Sequence, residues 1–88
     1  MRKYESEGKY TVRNLVKNKA IALELAEIYV KNRYGQDAAE EEKPYEITEL
    51  TTSWVVEGTI HSDQTAGGVF IIEIGKNDGR ILNFGHGK

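Results

Sequence analysis

The sequence contains no cysteine, a single proline and no long hydrophobic run. Without cysteine, the 88-residue chain has no disulfide framework, no thiol nucleophile and no cysteine-based metal site. No apolar stretch approaches the roughly 18 residues of a membrane-spanning helix, and the charged residues 1–5 do not lead into a signal-peptide core. We therefore expect one small domain in the cytoplasm, with no membrane partner.

The net charge of −2 hides an uneven distribution along the chain. Residues 1–34 hold eight basic and four acidic side chains, whereas residues 35–88 hold four basic and ten acidic ones. Positions 37–63 contain eight acidic residues and a single base, Lys43. This division predicts a dipolar surface, which acts on association rates and partner choice more than on the fold.

The periodicity predicts one long helix near the N-terminus. Asn18 is a suitable N-cap residue, the helix covers residues 20–34, and Gly35 ends it. Its apolar side chains spread over roughly 220° of the circumference, so we expect a curved partner to cover it. Residues 36–42 predict a further short helical segment, which ends before Pro44. Residues 1–17 are predicted to be an N-terminal extension of uncertain structure, and residues 18–88 form the domain.

The second half of the chain predicts four strands, at residues 45–50, 53–61, 68–75 and 80–84. In the 53–61 strand, every second residue from Trp54 to Ile60 is predicted to lie on the inner face. After Phe84 the chain is expected to trail off from the sheet. A turn is predicted at residues 76–79, because the Asp78-Gly79 pair readily adopts positive φ. Short connections favour an antiparallel meander, and the chain is predicted to be an α+β protein of the NTF2-like or cystatin-like kind, in which a curved four-stranded sheet wraps one long helix.

An ordered set of short strings carries a resemblance to a known group. The set comprises Ala20-Ile21-Ala22, Ala26-Glu27, Tyr34-Gly35, Lys43-Pro44-Tyr45, Trp54-Val55-Val56-Glu57-Gly58-Thr59, Gly67-Gly68-Val69, Ile72-Glu73-Ile74, Asp78-Gly79-Arg80-Ile81-Leu82 and His86-Gly87-Lys88. In this order the chain resembles the small NTF2-fold immunity proteins of bacterial polymorphic, Rhs-type toxin systems. The resemblance implies a protein that binds and neutralises a cognate toxin, with no enzymatic activity of its own.

Catalytic, metal and cofactor sites find little support in the sequence, and we predict none. His61 and Asp63 are two residues apart, but two ligands without a third make a poor metal site. The consecutive residues Glu40, Glu41 and Glu42 fan around a helix and do not form an acid–base pair. The sequence pI of about 5.7 lacks the basic footprint of a nucleic-acid-binding protein.

The acidic stretch is the main candidate for a partner surface, because carboxylates can occupy the basic cleft of a toxin that attacks nucleic acid. The predicted partner-binding residues are Asp37, Glu40, Glu41, Glu42, Glu46, Glu49 and His86. Two alternatives remain open. One is a small-molecule-binding or enzymatic NTF2-like domain, which requires a pocket with a perturbed carboxylate. The other is a homodimer through the outer sheet face, using Val55, Val69, Ile71 and Ile81.

Overall fold

The computed structural model describes residues 13–61 and 68–86. These residues form two helices and four strands: α1 Lys19–Tyr34, α2 Gln36–Glu41, β1 Glu46–Glu49, β2 Ser53–Glu57, β3 Phe70–Gly75 and β4 Ile81–His86. The strands pair antiparallel in chain order, β1-β2-β3-β4. The predicted α+β architecture, with an antiparallel meander and one long helix, is confirmed.

Helix α1 has the predicted cap and the predicted end. The side-chain oxygen of Asn18 accepts a hydrogen bond from the backbone N–H of Ile21 at 3.0 Å, which satisfies one of the first-turn donors. The helix ends at Gly35, whose φ of +100° favours glycine and whose N–H donates to the carbonyl of Lys31 at 2.9 Å. Only the first residue differs from the prediction, since α1 begins at Lys19.

Strand β2 is shorter than predicted, because the chain leaves the sheet after Gly58, whose N–H still donates to the carbonyl of Phe70 at 3.1 Å. The N–H of Thr59 donates to the carbonyl of Glu42 at 2.8 Å, so this segment pairs with the end of α2 instead of extending the strand. Ile60, predicted to lie on the inner face, is 51% exposed. The alternation pattern continues past Glu57 in the sequence, but hydrogen bonding to α2 overrides it.

Strand β4 is longer than predicted. The prediction that the chain trails off after Phe84 is wrong: Gly85 pairs with Ile71 and His86 pairs with Phe70, so the strand continues to His86. The turn before β4 is the predicted one, and Gly79 has a φ of +76°. A register shift lies between Glu73 and Ile74, near the start of β4.

The core lies between one side of α1 and the inner face of the sheet. Helix α1 contributes residues four positions apart, and the strands contribute their alternate residues. The buried set is Val16, Ala22, Ala26, Val30, Ala39, Trp54, Val56, Phe70, Ile72 and Ile74. The fully buried stripe of α1 is narrower than its apolar surface, because Ile28 is 58% exposed. The sheet therefore covers one side of the helix and leaves part of its apolar circumference in contact with solvent.

The segment before α1 is attached to the sheet through Val16. Its side chain is 1% exposed, its N–H donates to the carbonyl of Lys76, and its carbonyl accepts from the indole of Trp54 at 2.9 Å. These bonds give the single tryptophan a buried hydrogen-bond acceptor, as a buried indole N–H requires. Of the predicted N-terminal extension, residues 1–12 lie outside the described residues.

Candidate partner-binding surface

Six of the predicted partner-binding residues are acidic, and they lie on α2 and its C-cap and on strand β1, which is an edge strand of the sheet. Asp37, Glu40 and Glu41 belong to α2, and Glu42 caps the end of this helix. Glu46 and Glu49 are the first and last residues of β1. The contacts of these side chains divide them into two groups with different physical roles.

Three of the carboxylates have partners within the chain. Glu42 accepts a hydrogen bond from the backbone N–H of Phe70 at 2.9 Å, which joins the end of α2 to the start of β3. Glu40 pairs with Lys43 at 3.2 Å. Glu49 pairs with Lys76 at 2.6 Å, and the same ammonium lies 5.2 Å from the ring centre of Trp54. These three side chains therefore contribute to connections between elements of the fold.

The other three carboxylates, those of Asp37, Glu41 and Glu46, belong to exposed residues. Within residues 13–61 and 68–86, none of them forms an ion pair. Glu46 lies directly opposite Glu57 in the β1–β2 register. Like charges in this position repel each other, and an external cation would relieve the repulsion. We call Asp37, Glu41 and Glu46, together with the half-buried Glu57, the exposed acidic surface.

Glu57 was missed as a candidate, although the sequence contained a signal for it. A two-residue connection between Leu50 and Ser53 fixes the β1–β2 register, and this register brings Glu57 opposite Glu46. Glu73 was also missed. It lies on the same outer face, and its carboxylate accepts hydrogen bonds from the hydroxyl of Ser53 and the amide of Asn83, which lower its pKa.

Lys43, the base within the acidic stretch, bridges α1 and α2. Its ammonium lies 3.0 Å from Glu27 and 3.2 Å from Glu40. The hydrogen bond from Lys43 is the main reason that the pKa of Glu27 is lowered, and the two carboxylates in turn raise the pKa of Lys43. The ammonium of Lys43 is thus paired with Glu27 and Glu40, and the net charge of the exposed acidic surface stays negative.

An open depression of about 280 Å³ lies beside this ion pair, lined by Leu23, Glu24, Glu27, Lys43, Pro44 and Tyr45. The Tyr45 hydroxyl donates to the carbonyl of Ala39 at 2.7 Å, and burial raises its pKa to about 12. The Glu27 carboxylate has a lowered pKa, so it is ionised at neutral pH. Its ion pair with Lys43 is an arrangement typical of structural support rather than of a general acid.

The two histidines lie in different places. His86 belongs to β4, and the centre of its ring lies 4.4 Å from the centre of the Tyr34 ring. His61 contacts the carbonyl of Lys43 through Nε2. Its proposed companion, Asp63, lies outside the described residues. Among the residues that the structure describes, no group of three or more potential metal ligands comes together.

The predicted outer-face apolar set is only partly assembled. Val55 and Ile71 are half-buried and share the outer face, on neighbouring strands. One member was assigned to this face wrongly: Ile81, which is 40% exposed, lies opposite Ile74, a core residue, because of the register shift at the start of β4. Val69 precedes β3 and is buried at 9% exposure.

The family comparison covers most of the domain. Residues 21–88 match the family described as NTF2 fold immunity protein. The chain belongs to this family. The helix and four-stranded antiparallel sheet are consistent with the NTF2-like fold, so the predicted fold class is confirmed. The matched segment begins inside α1 and includes the whole sheet together with the exposed acidic surface.

Two relatives from Escherichia coli (strain K12) are similar to this chain. The uncharacterized protein YhhH is 99% identical over 88 residues, which are 100% of this chain and 69% of YhhH. The uncharacterized protein YbbC is 61% identical over 80 residues, which are 91% of this chain and 66% of YbbC. The chain thus spans about two thirds of the length of each relative. No solved structure matches it.

One property bears on membrane association. None of the helices in the described part of the chain is long and apolar enough to cross a bilayer.

Proposed function

We propose that this chain binds and neutralises a cognate toxin in the cytoplasm through direct protein contact, without catalysing a reaction. The observation that carries the proposal is its membership of the NTF2 fold immunity protein family over residues 21–88. In this proposal the toxin is delivered by a contact-dependent polymorphic system of the Rhs type. The chain protects the cell that makes both proteins.

The exposed acidic surface is the part of the molecule that we propose meets the toxin. A toxin that acts on nucleic acid needs a basic cleft, because it must bind a phosphate backbone. Exposed carboxylates on α2, β1 and β2 complement such a cleft, and charge complementarity accelerates encounter between proteins. Glu40 and Glu49 lie at the border of this surface within their ion pairs, and Glu42 is held by the amide of Phe70.

Co-expression with the product of the adjacent open reading frame tests the function itself. We expect the neighbour to stop growth when expressed alone, and we expect this chain to restore growth and to co-purify with it. A neighbour that is harmless without this chain contradicts the proposal. So does a toxic neighbour that this chain neither binds nor neutralises.

Reversing the charges of Asp37, Glu41 and Glu46 to lysine tests the surface. We expect the dissociation constant for the toxin to rise at least about tenfold, mainly through a slower and less salt-dependent association rate. The matched control is the set Asp37→Asn, Glu41→Gln and Glu46→Gln, which should produce a smaller loss. Glu42 stays unchanged in both variants, because its carboxylate stabilises the fold. An unchanged dissociation constant in the lysine variant contradicts this surface but leaves the immunity function in place.

A further inference from the structure

The opposite border of the sheet, strand β4, differs from the acidic border. Within residues 13–61 and 68–86, β4 pairs on one side with β3 and has no strand on its other side. Proteins usually protect such an edge with charged residues, proline or a bulge. Residues 81–86 include no lysine, acid or proline, and Leu82 is 44% exposed. The register shift lies near the start of the strand, so Asn83, Phe84, Gly85 and His86 pair regularly with β3.

Gly85 lies in this regular part of β4, although the fold does not require glycine there. Its φ lies outside the positive range that favours glycine, and a Cβ atom built on it meets nothing within 4 Å. A glycine within a strand weakens the strand, and it often marks a place where a ligand or another backbone approaches closely. Apart from its two chain neighbours, no atom of the described chain lies within 4 Å of the position that a Cβ of Gly85 would occupy, so the space beside this glycine is open.

A depression of about 280 Å³ opens at this glycine, lined by Ile71, Asn83, Phe84, Gly85 and His86. Ile71 is half-buried and lies opposite Gly85 in the β3–β4 register, so it supplies an apolar floor. A cavity of about 150 Å³ is large enough for benzene. The depression therefore has room for one aliphatic or aromatic side chain of a partner.

A fixed cation lies on the helix side of the same strand. The Arg33 guanidinium is 5.5 Å from the ring centre of Phe84 and 5.6 Å from that of Tyr34, and its Nε donates to the Tyr34 hydroxyl at 3.3 Å. Arg33 is exposed, and none of the ion pairs within the described residues includes it. An arginine that is oriented by aromatic rings and lacks a carboxylate is suited to bind one from outside.

We propose that the free edge of β4 receives an extended segment of the toxin, which adds to the sheet as a fifth strand. Side chains of an added strand alternate between the two faces. The segment therefore places an apolar side chain in the depression over Gly85 and a carboxylate, one position along, near Arg33. The identity of the partner rests on the proposed function, whereas the chemistry of the segment rests on β4 and Arg33.

A second copy of the chain is a poorer match for this edge than an acidic segment. Pairing two β4 strands would bring one Arg33 toward the other, which places like charges together. The outer face of β4 offers Asn83 and Gly85 near the depression, and neither supplies an apolar side chain. The edge therefore favours a partner with alternating apolar and acidic residues.

The variant Gly85→Leu fills the depression from within the chain and tests the docking site. We expect its dissociation constant for the toxin to rise at least tenfold, with the fold unchanged by circular dichroism. The matched control Thr51→Leu places the same side chain in the exposed turn between β1 and β2, and it should bind as the wild type does. Arg33→Gln should weaken binding several-fold. Wild-type affinity in Gly85→Leu overturns the docking site while leaving the proposed function intact.

A second measurement tests the β4 docking site without the toxin. It applies even if the wild-type chain fails to bind the toxin, a failure that would overturn only the proposed function. An eight-residue synthetic peptide alternating leucine and glutamate is titrated into the ¹⁵N-labelled chain, beside a control peptide alternating leucine and lysine. We expect the acidic peptide to shift the amide signals of residues 83–86, and Gly85→Leu to abolish the shifts. Equal effects of both peptides, or no shift at these amides, overturns the docking site.

Discussion

The two borders of the sheet use polar side chains in opposite ways. At the α2–β1 border, Glu42 accepts the amide of Phe70, and Lys43 joins Glu27 to Glu40. At the β4 border, Arg33 is oriented by the rings of Tyr34 and Phe84 and by its hydrogen bond to the Tyr34 hydroxyl, and Gly85 has open space above it. The number of charges at a border is therefore a poor guide to binding. What matters is whether the fold already satisfies each polar group.

The largest loss of stability is expected for the substitution Gly58→Ala, beside Glu42 at the end of α2. A Cβ atom at this position would clash with Oε1 of Glu42, and it would lie 2.8 Å from Cβ of Glu42 and 3.1 Å from Cδ2 of Phe70. Relief of this contact moves Glu42 away from the Phe70 amide. Overpacking together with the lost hydrogen bond should lower the free energy of unfolding by about 2–4 kcal/mol.

Urea unfolding measures this loss, and Gly75→Ala is the matched control. Gly75 is also buried and lies in a strand, but a Cβ atom there meets its nearest neighbour at 3.6 Å, an ordinary contact. We expect the control to change stability by less than about 1 kcal/mol. Equal losses in both variants would mean that the contact between Gly58 and Glu42 has no special role.

The next largest effect should separate two adjacent carboxylates of the acidic stretch. Glu42→Ala leaves the Phe70 amide without its acceptor and should destabilise the fold by about 1–3 kcal/mol. Glu41→Ala, one residue earlier on the exposed side of α2, should stay within about 0.5 kcal/mol. Glu42→Gln retains an acceptor oxygen and should recover most of the loss. Thermal or urea unfolding of the three variants decides whether the two side chains differ as the contacts indicate.

The sequence predicted the elements that depend on local signals. The Asn18 cap, the Gly35 end, the Asp-Gly turn and the alternation of Phe70, Ile72 and Ile74 are all determined by neighbouring residues. The end of β2 was not predictable in this way, because Thr59 leaves the sheet to bond with Glu42, seventeen positions away. Long-range hydrogen bonds of this kind have no signature in a local pattern.

The candidate surface was predicted in outline only. Exposure of Asp37, Glu41 and Glu46 follows from polarity, but the partner of Glu42 is the amide of Phe70, 28 positions away, and it requires the packing of β3 against the end of α2. At the β4 border, His86 was predicted as a partner-binding residue, but its place in a strand was not predicted. A glycine near a C-terminus is typical of a mobile tail, and only the pairing of Gly85 with Ile71 gives it a position.

A smaller effect concerns the pH dependence of the α2–β1 border. The pKa of Glu27 in the folded chain lies below its ordinary value of 4.5, chiefly because of the hydrogen bond from Lys43. The ionised carboxylate therefore stabilises the fold above pH 4.5, and this contribution is lost as the pH falls through the lowered pKa. In Lys43→Met the Glu27 pKa should move upward, and the stability difference from wild type should shrink below pH 4.5.

Carbon-detected NMR titration of the Glu27 carboxylate, with unfolding measured across the same pH range, checks this expectation. Lys31→Met is the control, because Lys31 lies farther from Glu27, at 3.7 Å. It should move the Glu27 pKa less than Lys43→Met does. If the two variants move it equally, Lys43 does not have the bridging role that its position between α1 and α2 indicates.

The smallest expected effect, and one of opposite sign, belongs to Gly85→Val at the β4 border. Valine is favoured in strands, nothing within 4 Å resists its Cβ, and the backbone has no positive φ. The free energy of unfolding should therefore stay the same or rise by about 0.5 kcal/mol, in contrast to the loss at Gly58. Urea unfolding checks the sign.

A loss comparable to that of Gly58→Ala would mean that the fold itself requires glycine at residue 85, and the argument for an external partner there would then fail. A neutral or stabilising result leaves the position with no structural reason to be glycine, which is the condition that a docking site at this edge requires.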